Sequence, residues 1–234
     1  LQLQLSNVAL TYGHVYDRWK NIVSVMIEKK PGLFLLEKLR TIHLFEADYN
    51  WILGLVFGRR MVYGAEEQRH LSNSQWGARP GRSTEQPELY KTMSYEISRL
   101  TRTPLGTLDN DAKACYDRIV MNLALMACQK HGIPQSACMM AAMALLTAKY
   151  SIKTAFGVSE GTYSSTESEP THGPGQDSRL ASALWMIVSC ICFDAMLKLC
   201  HGVSFCDPSN MLTHRRTSND FVDDVTHWFN LGLS

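Results

Sequence analysis

The stretch SNDFVDDVTHW, Ser218 to Trp228, narrows the possible folds of this chain more than any other. Phe221, Val222, Val225 and Trp228 give it the apolar, β-branched and aromatic content of a buried strand. Yet two adjacent carboxylates, Asp223 and Asp224, sit in its middle. Buried carboxylates are costly unless a cation or hydrogen-bond donors compensate them. The segment reads as a β-hairpin whose turn is Val222-Asp223-Asp224, which places the pair at the tip. Taken alone, an Asp-Asp pair is most often a solvated turn or a helix cap, so its meaning depends on what the rest of the chain brings to it.

The natural partner is Leu105 to Asp111, LGTLDND, which reads as a strand. Residues i and i+2 of a strand share a face, so Asp109 and Asp111 point the same way. If this strand neighbours the hairpin in one sheet, three carboxylates converge on a small volume. Such a group repels itself unless a divalent cation sits within it. Mg²⁺ is the fitting ion, being hard, oxygen-seeking and commonly held by one or two carboxylates plus substrate phosphates. A site of that kind runs phosphoryl or nucleotidyl transfer.

Elsewhere strands and helices are mixed without regular alternation, which predicts the α+β class. Trp19–Met26 and Leu39–Leu44 read as strands, Ala47–Tyr63 and Pro87–Leu100 as helices, with Ser83 and Thr84 as caps of the second. A helical segment is expected straight after Asp111, closed by Gly132, and a second one from Gln135 to Lys149. Tyr150 to Pro170 reads as a hairpin with a polar tip. The Met-rich run Ser136–Leu146 reads as core. The Gly-rich loop THGPGQDSRL then launches an apolar helix, Ala181–Leu199.

Charge is divided unevenly. Residues 1–105 hold 14 Lys/Arg against 10 Asp/Glu, and residues 106–234 hold 9 against 12. That suits a protein holding polyanions with one part and cations with the other. The net charge of +1 excludes a basic binder of the histone kind. Seven cysteines with no C-x-x-C pair, mostly in apolar surroundings, are reduced core cysteines and point to an intracellular protein. The longest apolar run, Leu180–Phe193, is shorter than the roughly 20 residues of a bilayer span, so no membrane association is expected.

Three segments in order, DNDAKACYDRI, GPGQDSRLASALW and NDFVDDVTHW, resemble motifs A, B and C of reverse transcriptases. Upstream, KKPG, LRTIHLFEADYNWILGL and QWGARPGRST resemble fingers motifs of the non-LTR retrotransposon and group II intron branch. The resemblance covers about Trp19 to Trp228. It implies a right-hand polymerase fold: fingers over residues 1–104 with a contribution from 125–165, and a palm over 105–234 in which an antiparallel sheet is backed by helices. It also implies RNA-templated DNA synthesis, adding dNTPs to the 3′-OH of a DNA or RNA primer.

The resemblance assigns residues as well. Asp111, not Asp109, is the motif A metal ligand, because Asp117 follows at the family's spacing. Asp223 and Asp224 complete a set holding two Mg²⁺, with Mn²⁺ as a substitute. Tyr116 is the steric gate against a ribose 2′-OH, and Gln176 and Arg40 meet the incoming nucleotide. Gln75, Gly77, Arg79, Gly81 and Arg82 lie along the template.

Two positions depart from the pattern: Asp177 stands where Gly is usual, and Asn50 where Lys or Arg is frequent. Asp177 motivates an alternative, a decayed and inactive retroelement relic or an RNA-binding domain. The chain starts at Leu1 and stops six residues after Trp228. It reads as a fragment that lacks a thumb and is not expected to polymerise alone.

Overall fold

The protein is described by a computed structural model. It describes the chain except residues 33–34, 36–37, 113, 170–171, 200–201, 207–212, 217, 222–223 and 231–234; residues 203–206, 213–216, 218–221 and 229–230 are described by backbone. The α+β class expected from the sequence is what the chain adopts, in two compact units. Each unit is discontinuous: Leu1–Gly64 joins Tyr116–Leu184, and Ala65–Cys115 joins Trp185–Ser234.

The first unit is organised by a four-stranded sheet of order β2-β1-β4-β5. Strand β1 (Asn21–Glu28) pairs antiparallel with β2 (Leu39–Leu44) and parallel with β4 (Lys149–Thr154), which forms an antiparallel pair with β5 (Gly157–Ser164). The expected hairpin at Tyr150–Pro170 is thus an extension of the first strand pair. Ile22, Ala148 and Tyr150 are buried together with Phe45 packed on them. Helix α1 (Gln2–Tyr12) lies against α6 (Gln135–Leu146), where Ser136 Oγ donates to the Leu10 carbonyl at 2.6 Å.

Helix α2 (Ala47–Leu53) continues through a π-helical stretch, Gly54–Met61, into α3 (Val62–Glu67). A Cβ at Gly54 would come within 2.5 Å of the Arg179 side chain, so glycine is what lets that side chain lie against the helix. Trp19 and Tyr49, both fully buried, meet at 5.1 Å, and the Trp19 indole N–H donates to Asp48 Oδ1 at 2.9 Å. Asp48 also pairs with Arg18.

Three sequence expectations in this unit need correction. The helix after Asp111 does not form at once: Ala114 takes φ 53°, Tyr116–Arg118 make a 3₁₀ turn, and α5 spans only Met121–Lys130. Val120, β-branched and extended, stands at its N-cap. Helix α6 ends at Leu146, because Lys149 and Tyr150 are already paired with Asn21 and Ile22. Nor is the Met-rich run all core. Met140 is fully buried, but Met139 and Met143 are exposed.

The second unit holds α4 (Glu85–Thr101) and an antiparallel sheet of order β3-β9-β8. These strands are Leu105–Asp111, Asp224–Asn230 and Ser218–Phe221. A short pair, β6 (Val203–Cys206) with β7 (Thr213–Arg216), completes it. Helix α4 is not capped by the Ser83 or Thr84 side chains. The Ser83 N–H instead donates to Gln86 Oε1, so the cap comes from inside the helix.

Helix α7 (Ala181–Leu199) occupies the predicted span and contains a unit boundary. By length and composition it is apolar enough to cross a membrane, contrary to the reading from its apolar core alone. Ala181, Leu184, Met186 and Ile187 are nonetheless almost fully buried in the folded chain. Cys115, Cys128, Cys138 and Cys190 are buried, and burial pushes the Cys128 thiol up to about 12.

Candidate active site

The register of the β3-β9 ladder decides which carboxylates meet. Asp111 lies directly opposite Asp224, and Asp109 directly opposite Thr226. Phe221 pairs with Asp224 across the hairpin, so Asp224 is the first residue of β9 and not part of the turn. Asp223 lies outside the described residues. The period of two places Asp109, Asp111, Asp224 and Thr226 on one face, and all four line an open cleft of about 480 Å³. Helix α4 forms the facing wall with Pro87, Glu88 and Lys91.

The two aspartates of β3 have different surroundings. Lys91 Nζ donates to both Asp109 oxygens at 2.9 Å, and Thr226 Oγ1 donates to Asp109 Oδ1 at 2.6 Å. The Thr226 hydroxyl, and after it Lys91, hold the Asp109 carboxyl below the usual carboxylate range. The bond to Asp109 raises the Lys91 ammonium in turn. Asp111 and Asp224 have no such partner among the described residues, and both are exposed to the cleft.

That donor set fits Mg²⁺. It offers two hard carboxylates at opposed register positions, neither in an ion pair among the described residues, and the open cleft has room for further oxygens. Among the described residues no group of three or more His, Cys, Asp or Glu is gathered for a metal.

In the other unit, the loop from Gly173 to Arg179 is built by close backbone approach. Gly173 has φ 75°, and a Cβ there would collide with the Tyr116 carbonyl oxygen and lie 2.8 Å from Asp117 Cα. Gly175 has φ 78°, and a Cβ would come within 3.1 Å of the His43 and Phe45 rings. The loop is therefore threaded between the Tyr116–Asp117 backbone and strand β2. The His43 N–H donates to the Gln176 carbonyl at 3.3 Å, and the Arg179 N–H donates to Asn50 Oδ1 at 2.9 Å. Asn50, where a cation was expected, holds this loop. Asp177 stands exposed with φ 72°, a backbone state that glycine adopts without strain.

His43 was invisible as a functional candidate in the sequence. Its Nδ1 is 3.0 Å from Ser24 Oγ, which is 3.1 Å from the Tyr163 hydroxyl. Burial pushes its pKa down, against the opposing pull of Asp117 and Asp177. Arg40 projects from β2 at the register position opposite Ile27 and is exposed.

The Ser74–Thr84 loop holds two of the expected template residues inside the fold. Gln75 is buried; its Nε2 donates to Ser189 Oγ at 2.6 Å, and its Oε1 accepts the Gly77 N–H at 2.7 Å. Arg79 is buried too. It donates to both oxygens of Glu66 and to the Ser72 and Gln75 carbonyls. These two side chains shape the loop from inside. Gly81 (φ 71°) is exposed and Arg82 half-exposed, with the Arg82 guanidinium 4.6 Å over the Trp76 ring.

No family model and no curated protein matches this chain. Solved structures do. An apo telomerase from Candida tropicalis, truncated from its C-terminal domain, superimposes with a TM-score of 0.56 at 14% identity, over 97% of this chain and 48% of that one. A telomerase from Candida albicans in complex with a TWJ fragment of telomeric RNA gives 0.56 at 13% identity, over 90% and 37%.

The likeness is one of fold. Along nearly its whole length this chain has a fold similar to that of these telomerase structures. It spans less than half the length of either telomerase chain.

Proposed function

We propose that this chain carries the fingers and palm of an RNA-directed DNA polymerase of a mobile genetic element, in the non-LTR and group II intron branch. The observation that carries the reading is the register that sets Asp111 opposite Asp224 in one cleft, within a telomerase-like fold. Asp111, Asp223 and Asp224 would hold Mg²⁺. Bound there, Mg²⁺ supplies charge neutralisation at the attacking and leaving oxygens of nucleotidyl transfer.

The chain's own residues do the positioning. Asp109 is kept out of the ligand set by Lys91 and Thr226, which leaves the two unpaired carboxylates facing the cleft. Tyr116 is fixed by the Gly173 loop packed on its carbonyl, which supports a gate that excludes the ribose 2′-OH. Gln176, Arg40, Gly81 and Arg82 are the contacts offered to nucleotide and template. The RNA in the Candida albicans complex supports RNA as the partner. Positioning and electrostatic stabilisation are the protein's main share of such a reaction.

The test is dNTP incorporation on a primed RNA template by the intact polymerase. Asp111→Asn should abolish it, and Asp109→Asn should retain most of it. Equal activity of Asp111→Asn and wild type would sink the assignment. Tyr116→Ala should admit ribonucleotides in the same assay.

A further inference from the structure

A second cleft lies in the unit that holds the carboxylates, and it has the chemistry of a nucleobase site. Helix α3 closes with the His70 N–H donating to the Ala65 carbonyl at 2.8 Å and the Arg69 N–H to the Glu66 carbonyl at 3.0 Å. Arg69 turns the chain with φ 56°, a position that glycine normally fills at a helix end. A left-handed arginine costs of order 1–2 kcal/mol, and strain of this kind gathers at functional positions. The turn leaves the Arg69 side chain exposed at the mouth of a cleft of about 450 Å³. Small-ligand sites occupy about 300–1,000 Å³.

The cleft has an aromatic and guanidinium surface. Trp76 is almost fully buried, its ring 5.2 Å from that of Tyr90, which also lines the cleft. Arg82 places its guanidinium carbon 4.6 Å over the Trp76 ring and is half-exposed. Glu66 is 4.0 Å from Arg82 and is already bound on both oxygens by Arg79. Among the described residues, the cleft sets one carboxylate, Asp194, against Arg69 and Arg82.

A tilted aromatic pair, a guanidinium set over an indole and two arginines are what an unpaired nucleotide can use. Its base stacks on aromatic or guanidinium faces and its phosphate meets arginine. An acidic peptide would use the charge but not the aromatic surface.

We infer that this cleft binds one unpaired nucleotide of a single-stranded nucleic acid, its base on the Tyr90–Trp76–Arg82 surface and its phosphate between Arg69 and Arg82. The inference rests on the polymerase reading for one thing only, that the chain meets nucleic acid. It extends the template role of Arg82 to base stacking and adds Arg69 and Tyr90.

The experiment uses the whole chain with short oligouridylate and oligothymidylate strands carrying one 4-thio base, an abasic version of each, and a duplex of equal length. Photo-crosslinking followed by peptide mapping should place the adduct at Tyr90 with single strands and not with the duplex. The Arg69→Ala/Arg82→Ala double variant should lower the logarithmic salt slope of single-strand binding by about 1.4, the effect of two lost phosphate contacts. Tyr90→Ala should weaken base-bearing strands by about tenfold and abasic strands much less. Equal affinity of ribo- and deoxy-strands assigns the site to bases and phosphates. A ribo preference assigns it to RNA.

Adducts mapped elsewhere, an unchanged salt slope in the double variant, or equal affinity for abasic strands overturns the inference. So does binding of an acidic peptide but of no single strand. Cross-linking here by this chain, with no dNTP incorporation by the intact polymerase, removes the proposed function and leaves the cleft. Incorporation without this cross-link does the reverse.

Discussion

The two glycine-rich loops, Ser74–Thr84 and Gly173–Arg179, look alike in sequence but are made rigid in opposite ways. In the first, the polar side chains turn inward. Gln75 and Arg79 are buried and together satisfy Glu66, Ser189, the Gly77 N–H and two carbonyls. In the second, the glycines matter more than the side chains. Gly173 and Gly175 allow the loop backbone to touch Tyr116, Asp117 and the rings on β2. A loop of the first kind depends on hydrogen-bonded charge, and one of the second kind on the absence of Cβ atoms. The same composition therefore predicts different sensitivities to substitution.

The largest expected effect is at Arg79. Arg79→Ala leaves Glu66 without its bidentate partner and takes one donor from each of the Ser72 and Gln75 carbonyls, so it should cost about 3–5 kcal/mol in urea unfolding. Arg82→Ala, which removes only a distant ion pair and a stacking contact, should stay within about 1 kcal/mol of wild type. If both cost the same, the first loop is not organised from within.

Gly173→Ala comes next, at roughly 2–4 kcal/mol, since it adds left-handed strain to a collision with backbone atoms that no rotamer change can relieve. A thermal melt unchanged by Gly173→Ala would show that the loop does not rest on the Tyr116–Asp117 backbone. The smallest effect has the opposite sign. Asp177→Gly should stabilise by about 1 kcal/mol, because Asp177 already holds a conformation that glycine adopts freely. A destabilised Asp177→Gly would mean that the carboxylate makes a favourable contact which outweighs its strain.

Much of the element plan was legible in the chain. Leu39–Leu44, Leu105–Asp111 and Ala181–Leu199 are read from apolar and β-branched runs and appear with those same limits. The helix end expected at Lys149 and the helix start expected after Asp111 lie elsewhere, because strand pairing and a 3₁₀ turn override the local helical pattern there. The side-chain content of the first loop was equally hidden, since Q-x-G-x-R reads the same whether its polar groups face solvent or the interior. His43 and Lys91 carried no signal at all. Each matters through a partner far away in sequence: Gln176 and Tyr163 around His43, Asp109 beside Lys91.

The sequence by itself determined that Leu105–Asp111 is an acidic strand with Asp109 and Asp111 on one face, and that Ser218–Trp228 is a hairpin that brings a second pair of carboxylates to its tip. Only the tertiary structure decided that Asp111 faces Asp224 while Asp109 faces Thr226 and is neutralised by Lys91. The reason is that side-chain alternation is local, whereas register is fixed by hydrogen bonds between strands more than 100 residues apart. A slip of one residue would turn every carboxylate of β3 to the other face.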